Sequence, residues 1–568
     1  HHGGVRKHEA VVRQAVRDDT ARGWISQGAM HPFTVPVRLS PKNVATQLKW
    51  KMVDGKLTQV AKYRVTTDDS YEAEGVGSRN GGMPAEDWPP CELPTFRDLG
   101  EAVAIFKAAR AAVRAEVPPS AINRIAMWAM DLSNAFRELA VARQEWWLQQ
   151  FLWDDGVRLD YRCLFGSANL VGIFERISTS VMAVAHYKIT AYDRAQPHDA
   201  ARRAWAQDRQ ARGLPPVYSW EAIYIDDGFG STPLAPDEPL RGGDPAEPVK
   251  TCLVVTPGGD VEFEMLVDAS RAQAHLALSK RTFEGAGWGV SDPKTQLGFD
   301  LELLGIGVES QDRGSFYVPD LKRAGLCQDL RDQQRSTLAR APIAHDDVEA
   351  LVGRLSHIAQ VVCEGKAYLA PMYSAKCAKV RARGVSYIPR RLELGSAAPG
   401  PTAYRDCVAW WHEVLRAATT APLAPRLRFP ELGEASVAFL FTDAAREGGT
   451  GFGGWTVLRN GANAELHYCE QRWDAGTLGR LQRDEFSMPA GECYGAVYMA
   501  AALLDKLPRV THLVCFTDSD ATAKAFSAAA SGAPQLNVMI QWLIKRHAGV
   551  QHLGVHVRGV DNHLADAL

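Results

Sequence analysis

The last quarter of the chain alternates two hydrophobic periods. Residues 436–441 form a short apolar run of strand length, and residues 451–458 predict a second strand after a glycine-rich turn. Residues 492–507 predict a helix, residues 512–516 a strand, and residues 536–547 a helix with Leu536, Ile540 and Leu543 on one face. From Ala435 onward this is an α/β pattern the size of one independent core. Further upstream, two apolar strands end in acids, one at Asp131 and one at Asp226-Asp227. Between them a helix is expected to carry Phe174, Ile177, Val181 and Val184 on one face. Breaker-rich stretches at residues 75–90, 233–248 and 395–401 divide the chain. Residues 1–40 show no strong period and read as an N-terminal extension.

Composition narrows the class. A chain of 568 residues is too long for one core, and 46% hydrophobic with 23% charged residues is a globular balance. No apolar run reaches bilayer length and no secretion signal is visible, so no membrane partner is expected. Ten scattered cysteines without a C-x-x-C pair suggest neither a zinc site nor a disulfide framework, and a cytosolic or nuclear location. The net charge of -2 is unevenly spread: residues 321–430 hold 17 Lys and Arg against 9 Asp and Glu, a surplus of 8. Within that stretch Lys376, Lys379, Arg381, Arg383, Arg390 and Arg391 follow one another with no acid between them. Such a stripe suits a polyanion, although a solvated face is the commoner origin.

The acids suggest a chemistry. Asp131 stands where an apolar strand gives way to a helix, in Met130-Asp131-Leu132-Ser133-Asn134-Ala135-Phe136-Arg137. Asp226-Asp227 ends the run Ala222-Ile223-Tyr224-Ile225 and is followed by Gly228, the pattern of a hairpin turn. Alone, the first is an N-cap and the second a solvated turn. Together they supply carboxylates from separate elements, as needed to hold two divalent ions about 3.5–4 Å apart for phosphoryl transfer.

These residues resemble the first and third palm motifs of reverse transcriptases, and the other motifs of that family follow in order. Lys62-Tyr63-Arg64 resembles the fingers segment that holds the incoming triphosphate, and Ser78-Arg79-Asn80 a fingers element of retroelements. Leu164-Phe165-Gly166 and the helix after it resemble the second palm motif, although Ser167-Ala168-Asn169 stands where Ser-Ala-Pro is usual. Gly287-Trp288-Gly289-Val290 with Lys294, then Leu303-Leu304-Gly305-Ile306, resemble the fourth motif and the primer grip. Leu351-Val352-Gly353-Arg354-Leu355 resembles a thumb helix. Independently, Asp443, Glu492, Asp518 and Asp566 stand in the order and context of the ribonuclease H acids. The arrangement, with Trp410-Trp411 in the connection, is most similar to the polymerase of DIRS-like retrotransposon polyproteins.

The resemblance implies an α+β right-hand polymerase of fingers, palm and thumb followed by an α/β ribonuclease H-like domain. It divides the chain into an extension (1–40), fingers and palm (41–310), thumb and connection (311–430) and ribonuclease H (431–568). It implies an RNA-directed DNA polymerase that also degrades the RNA of the hybrid. RNA template, DNA primer, RNA–DNA hybrid and dNTPs would be its partners. Two Mg²⁺ per site, replaceable by Mn²⁺, would be held by Asp131, Asp226 and Asp227 in one and by Asp443, Glu492, Asp518 and Asp566 in the other. Lys62, Arg64, Leu132, Phe136, Gly166, Tyr224 and Lys294 would meet the nucleotide, with Phe136 excluding a 2′-hydroxyl. The rival readings are a silent, domesticated scaffold that binds nucleic acid and an RNA-templated RNA polymerase. The presence of all seven acids favours activity, and Phe136 with the ribonuclease H set favours DNA synthesis.

Overall fold

The computed structural model describes residues 3–72, 77–82, 93–112, 123–154, 156–164, 166–167, 169–195, 219–234, 238, 240, 250–256, 259–265, 270–311, 314–362, 364–377, 380–382, 385–387, 389–392, 401–417, 420–422, 436–445, 451–460, 463–483, 485, 487–507 and 510–562. Two compact units divide the chain, His1–Leu321 and Lys322–Leu568.

The first unit opens on a five-residue helix, Gly3–Lys7, followed by helix α1 (Glu9–Ala21). The N-terminal residues are therefore more than an extension. Val5, Val12 and Val16 are buried in one apolar cluster with Ile25, Val44, Phe151 and Trp153. Two valines four apart among charged neighbours suffice for one helical stripe, too thin a signal to stand out in the sequence. Strands β1 (Lys42–Val53) and β2 (Lys56–Thr67) form a long antiparallel hairpin. Its two-residue turn, Asp54-Gly55, has both residues at positive φ, which matches the twist of the flanking strands.

After helix α2 (Phe96–Ala112) comes β3 (Ile125–Ser133), whose first six residues are all buried, as expected of a central strand. Next are α3 (Leu170–Ala195), β4 (Trp220–Tyr224), β5 (Asp227–Pro233), α4 (Arg271–Gly285), β6 (Gly289–Val290) and β7 (Gln296–Gly298). The sheet runs β6-β3-β5-β4, all antiparallel, with β7 also paired to β3. One side of it packs on Leu170, Phe174, Met182 and Ala185 of α3. Val184, expected on that stripe, is 50% exposed. At 3.6 residues per turn the stripe passes from Phe174 through Ser178 to Met182 and Ala185. Strands β8 (Asp300–Leu303) and β9 (Ile306–Glu309) turn on Leu304-Gly305, again at positive φ.

Helix α5 (Asp320–Leu338) leads into the second unit. In α6 (His345–Ile358) the segment expected to be a thumb helix buries Leu351, Val352 and Leu355. Between α7 (Gly365–Lys376) and α8 (Pro401–Arg416), Trp410 stacks on Tyr368 at 3.9 Å. Trp411 packs so close to Gly365 that a Cβ there would collide with it. The rest is a five-stranded mixed sheet of β10 (Ser436–Ala444), β11 (Gly451–Asn460), β12 (Asn463–Arg472), β13 (Val510–Thr517) and β14 (Gln551–His556). Its order is β12-β11-β10-β13-β14, antiparallel up to β10 and parallel beyond it. A short helix, Ala475–Gln482, and helices α9 (Met488–Lys506), α10 (Asp520–Ala528) and α11 (Pro534–Arg546) also belong to the unit. The five elements expected from periodicity are all present; β12, the helix Ala475–Gln482, α10 and β14 are additions. No described helix in the chain is long and apolar enough to cross a membrane.

Candidate active sites

In the first unit the chain reverses between β4 and β5 on Ile225-Asp226. Asp227 is already a strand residue, in register with Tyr224 on one side and with Asp131 of β3 on the other. The turn therefore falls before Gly228, not on it. Gly228 lies in the strand, where a Cβ would run into Met130 and crowd Met182. The reversal forces Ile225 to φ +54°, an outlier for a β-branched side chain and the kind of strain that clusters at functional sites. The Leu132 amide donates to the Asp226 carbonyl at 2.8 Å, locking the turn onto β3. Asp131 lies within β3, followed by left-handed Asn134 and a single 3-10 turn, Ala135–Glu138. The helix expected there, and with it the N-cap reading, is replaced by this tighter bend.

Three cations face the three acids. Lys294 Nζ lies 2.5 Å from Asp131 Oδ1. Lys62 and Arg64, two apart on β2 and so on one face, reach the same space. Burial, then repulsion from Arg64, Lys49 and Lys294, holds the Lys62 ammonium below its ordinary pKa, with Asp131 opposing. Burial raises Asp226 and is partly offset by Lys294 and Arg64. Burial also pushes Asp227 up to about 7, helped by repulsion from Asp226 and Asp131. Among the described residues no three His, Cys, Asp or Glu side chains are drawn tightly enough together to cage a metal ion. The donor set still suits a hard divalent cation: oxygen ligands from two strands, electrostatically coupled, with ionised forms that burial penalises and a bound cation would favour.

Other expected residues take different places. Phe136 is only 8% exposed and packs on Phe174 at 4.8 Å, inside the apolar cluster beneath the sheet. Gly166 has φ +124°, and a Cβ there would strike the Thr67 carbonyl at the end of β2, so the chain itself demands glycine. Asn80 holds the Gly166 carbonyl at 2.8 Å, which brings the two fingers elements and the second palm motif together. Arg137 belongs to a network the sequence did not reveal. It donates to Asp160 at 2.8 Å and to Asp19 of α1 at 2.9 Å, and buried Lys42 lies 3.7 Å from Asp160. Burial raises Asp19 against the pull of Arg137, and lowers Lys42 against the pull of Asp160. Partners from four separated segments leave no local spacing to read.

In the second unit Asp443 ends β10, Glu492 lies in the first turns of α9, and Asp518 follows β13. They are close enough to couple: burial raises Glu492, a Ser519 hydrogen bond opposes, and Asp518 and Asp443 add to the rise. Asn562, 2% exposed, donates to the Thr442 carbonyl at 3.0 Å and so anchors the last described residues beside Asp443. Asp566 lies outside the described residues. Three histidines lie in the last part of the described chain: His547 sits 3.5 Å from Asp505, and His552 is buried. Exposed His556 is in register with Thr517, next to Asp518.

The basic stripe is only partly placed. Lys379 and Arg383 lie outside the described residues, and of Arg381 only the backbone strand Val380–Ala382 is described. Lys376 pairs with Glu349 at 2.8 Å, so an acid absent from the stripe's sequence neutralises it in space. Arg390 and Arg391 are exposed.

No protein-family model matches the sequence, and no curated protein matches it. Among solved structures, a foamy viral protease-reverse transcriptase in complex with double-stranded DNA is 13% identical, with a TM-score of 0.41, over 94% of this chain and 66% of that one. A foamy viral protease-reverse transcriptase in complex with an RNA/DNA hybrid is 12% identical, with a TM-score of 0.42, over 94% of this chain and 52% of that one. RNase H1 from the archaeon Halobacterium salinarum is 16% identical, with a TM-score of 0.18, over 24% of this chain and 94% of that one. The chain thus spans between half and just under two thirds of the viral chains. Reverse transcriptase and RNase H1 structures are its neighbours, at a distance too great to assign an activity.

Proposed function

We propose that the chain is a retroelement RNA-directed DNA polymerase with a ribonuclease H activity, its first unit supplying fingers and palm in a right-hand arrangement. The observation that carries this reading is the strained Ile225-Asp226 turn, which sets Asp226 and Asp227 beside Asp131 and opposite Lys62, Arg64 and Lys294. A carboxylate corner faced by a cationic strand matches a reaction between a metal-bound triphosphate and a hydroxyl. The likeness to DIRS-like elements rests on the motifs alone.

Asp131, Asp226 and Asp227 would hold two Mg²⁺, or Mn²⁺ in their place, and Asp443, Glu492, Asp518 and Asp566 a second pair. Such ions, when bound, lower the pKa of a hydroxyl or water and neutralise charge on the phosphate. The chain's own groups do the rest. Lys62 and Arg64 bind the triphosphate, Arg64 able to do so through two parallel hydrogen bonds. Lys294, which rests on Asp131, is placed to pair a phosphate or hand its proton to the leaving group. The Leu132 and Tyr224 backbones fix the acids, and the Phe136 ring backs the sugar from beneath. In the second unit Asn562 orients the strand end that carries Asp443.

The test is primer extension on an RNA template with dNTPs and Mg²⁺, alongside cleavage of a labelled RNA–DNA hybrid. Extension and cleavage are both expected, and both should stop on chelation. Tight binding of template–primer with neither activity would make the chain a silent scaffold instead.

A further inference from the structure

Lys42 opens β1 and stands in register with Thr67, the last residue of β2, so the two close the foot of the long hairpin. The Lys42 ammonium donates to Thr67 Oγ1 at 3.0 Å, lies 3.7 Å from Asp160 Oδ2 and sits over the Phe151 ring. Arg137, in the 3-10 turn that follows β3, donates from one nitrogen to Asp160 Oδ1 at 2.8 Å and from the other to Asp19 Oδ2 at 2.9 Å. Asp160 is thus shared by two arms, one reaching the hairpin and one reaching the segment beyond Asp131. Its side chain is 1% exposed, that of Lys42 5% and that of Arg137 9%. Buried ion pairs add little net stability over apolar packing, because the charges must shed their water. What they supply is direction: each contact holds its partner in one geometry, and removing one member strands the others. Lys62 and Arg64 stand on β2 close to that foot, and Asp131 stands on β3 just before the turn that holds Arg137. The Asp160 carboxylate is taken up by Lys42, Arg137 and the Arg162 amide, none of them a member of the nucleotide corner.

We propose that Asp160 is a positioning residue for the first site. Through Lys42 it fixes the foot of the hairpin, and through Arg137 the end of the strand that bears Asp131. Lys62 and Arg64 thereby keep their spacing from the acids. The effect on nucleotide binding rests on the polymerase reading; the anchoring of the hairpin does not.

Two variants test this. Lys42→Met cuts only the arm to the hairpin and leaves Asp160 paired with Arg137, so the unit should fold. Asp160→Asn weakens both arms. In single-nucleotide incorporation the KM for dNTP should rise about tenfold in Lys42→Met, and further in Asp160→Asn, with kcat per folded molecule within about threefold. A residue that only stabilised the fold would lower the folded fraction, and with it the apparent kcat, at an unaltered KM. Hydrogen exchange reads the anchor without catalysis: the amides of β1 and β2 should exchange about tenfold faster in Lys42→Met, and those of β10 and β13 at the wild-type rate. A wild-type chain that extends no primer would sink the polymerase reading and leave the exchange measurement to decide the anchor. Unchanged exchange in the hairpin, or an unchanged KM in an active, folded Lys42→Met, would overturn the proposal.

Discussion

Asp131 in the first acid cluster and Glu492 in the second stand in different electrostatic surroundings. In the first unit three carboxylates meet three cations, and Lys294 already touches Asp131. In the second unit the influences on Glu492 are burial, a Ser519 hydrogen bond and two more acids, with no lysine or arginine among them. The difference fits what each would handle. A site that receives a free triphosphate must offset several negative charges arriving together, and fixed cations do so before any ion binds. A site that cuts one internal phosphodiester meets a single charge at the bond broken, and neutral donors can hold its acids in place.

The largest expected effect separates the two clusters outright. Asp226→Asn should cut DNA synthesis by ~10³-fold or more, about 4 kcal/mol of barrier, and leave hybrid cleavage within about twofold. Asp518→Asn should do the reverse. Primer extension and hybrid cleavage assayed on each variant decide it, and loss of both activities in either one would mean the clusters are not independent.

Phe136 tests how far the first cluster extends. Its ring is buried against Phe174, so Phe136→Ala should destabilise the first unit by ~3–5 kcal/mol whatever its catalytic part. If the ring also backs the sugar, ribonucleotides should compete better in single-nucleotide incorporation by the folded variant. Lower melting temperature with unaltered sugar discrimination would make Phe136 a packing residue only.

Legibility followed the range of the signal. Apolar periodicity spoke for β10, β11, α9, β13 and α11, because each buries a continuous stripe of its own. Strand β12 was missed because its pattern is charged and its residues 466–472 are exposed. The Asp54-Gly55 turn of the long hairpin is a short-range signal, legible in the sequence as a two-residue hairpin connection. At the site, the spacing of acids indicated which strands end in carboxylates, but not that Asp131 and Asp227 would share one register pair. The Asp19–Arg137–Asp160–Lys42 network was invisible because its members become neighbours only on folding. For the same reason Lys376 looked uncompensated until Glu349 came beside it.

Asp227 turns the contrast into a pH experiment. Its pKa in the folded chain is raised to about 7, so the native state holds a proton that the unfolded state has lost above about pH 4. This carboxyl therefore favours folding under acid, and its contribution is lost as pH rises from about 4 through 7. Without divalent ions, stability of the first unit at pH 8 should increase by ~1–3 kcal/mol in Asp227→Asn, while DNA synthesis disappears. Denaturant melts at pH 5 and pH 8 check the sign: the variant's gain should vanish at the lower pH. Saturating Mg²⁺ should narrow the difference at pH 8.

His556 sharpens the second cluster. It is exposed at the strand end beside Asp518, whereas His547 pairs with Asp505 and His552 is buried. If it ferries a proton there, His556→Ala should slow hybrid cleavage by about tenfold or more. DNA synthesis should not change. His547→Ala serves as the control, with an expected change of less than about twofold.

The smallest effect concerns the stripe. Glu349 already claims Lys376, so Arg390 and Arg391 are its two described side chains without that compensation and the better test of whether this face meets a duplex. Replacing both by alanine should weaken template–primer binding and flatten the dependence of log K on log salt by about 0.9 per lost contact on a B-form duplex, somewhat less on a hybrid. Lys376→Ala should change that slope by less, because an ion-paired lysine releases fewer counterions from the nucleic acid. Turnover at saturating primer should hold, since neither acid cluster is touched. If titrations at several salt concentrations gave the arginine variant an unaltered slope, these charges would be a solvated surface, and duplex binding would rest on other basic residues.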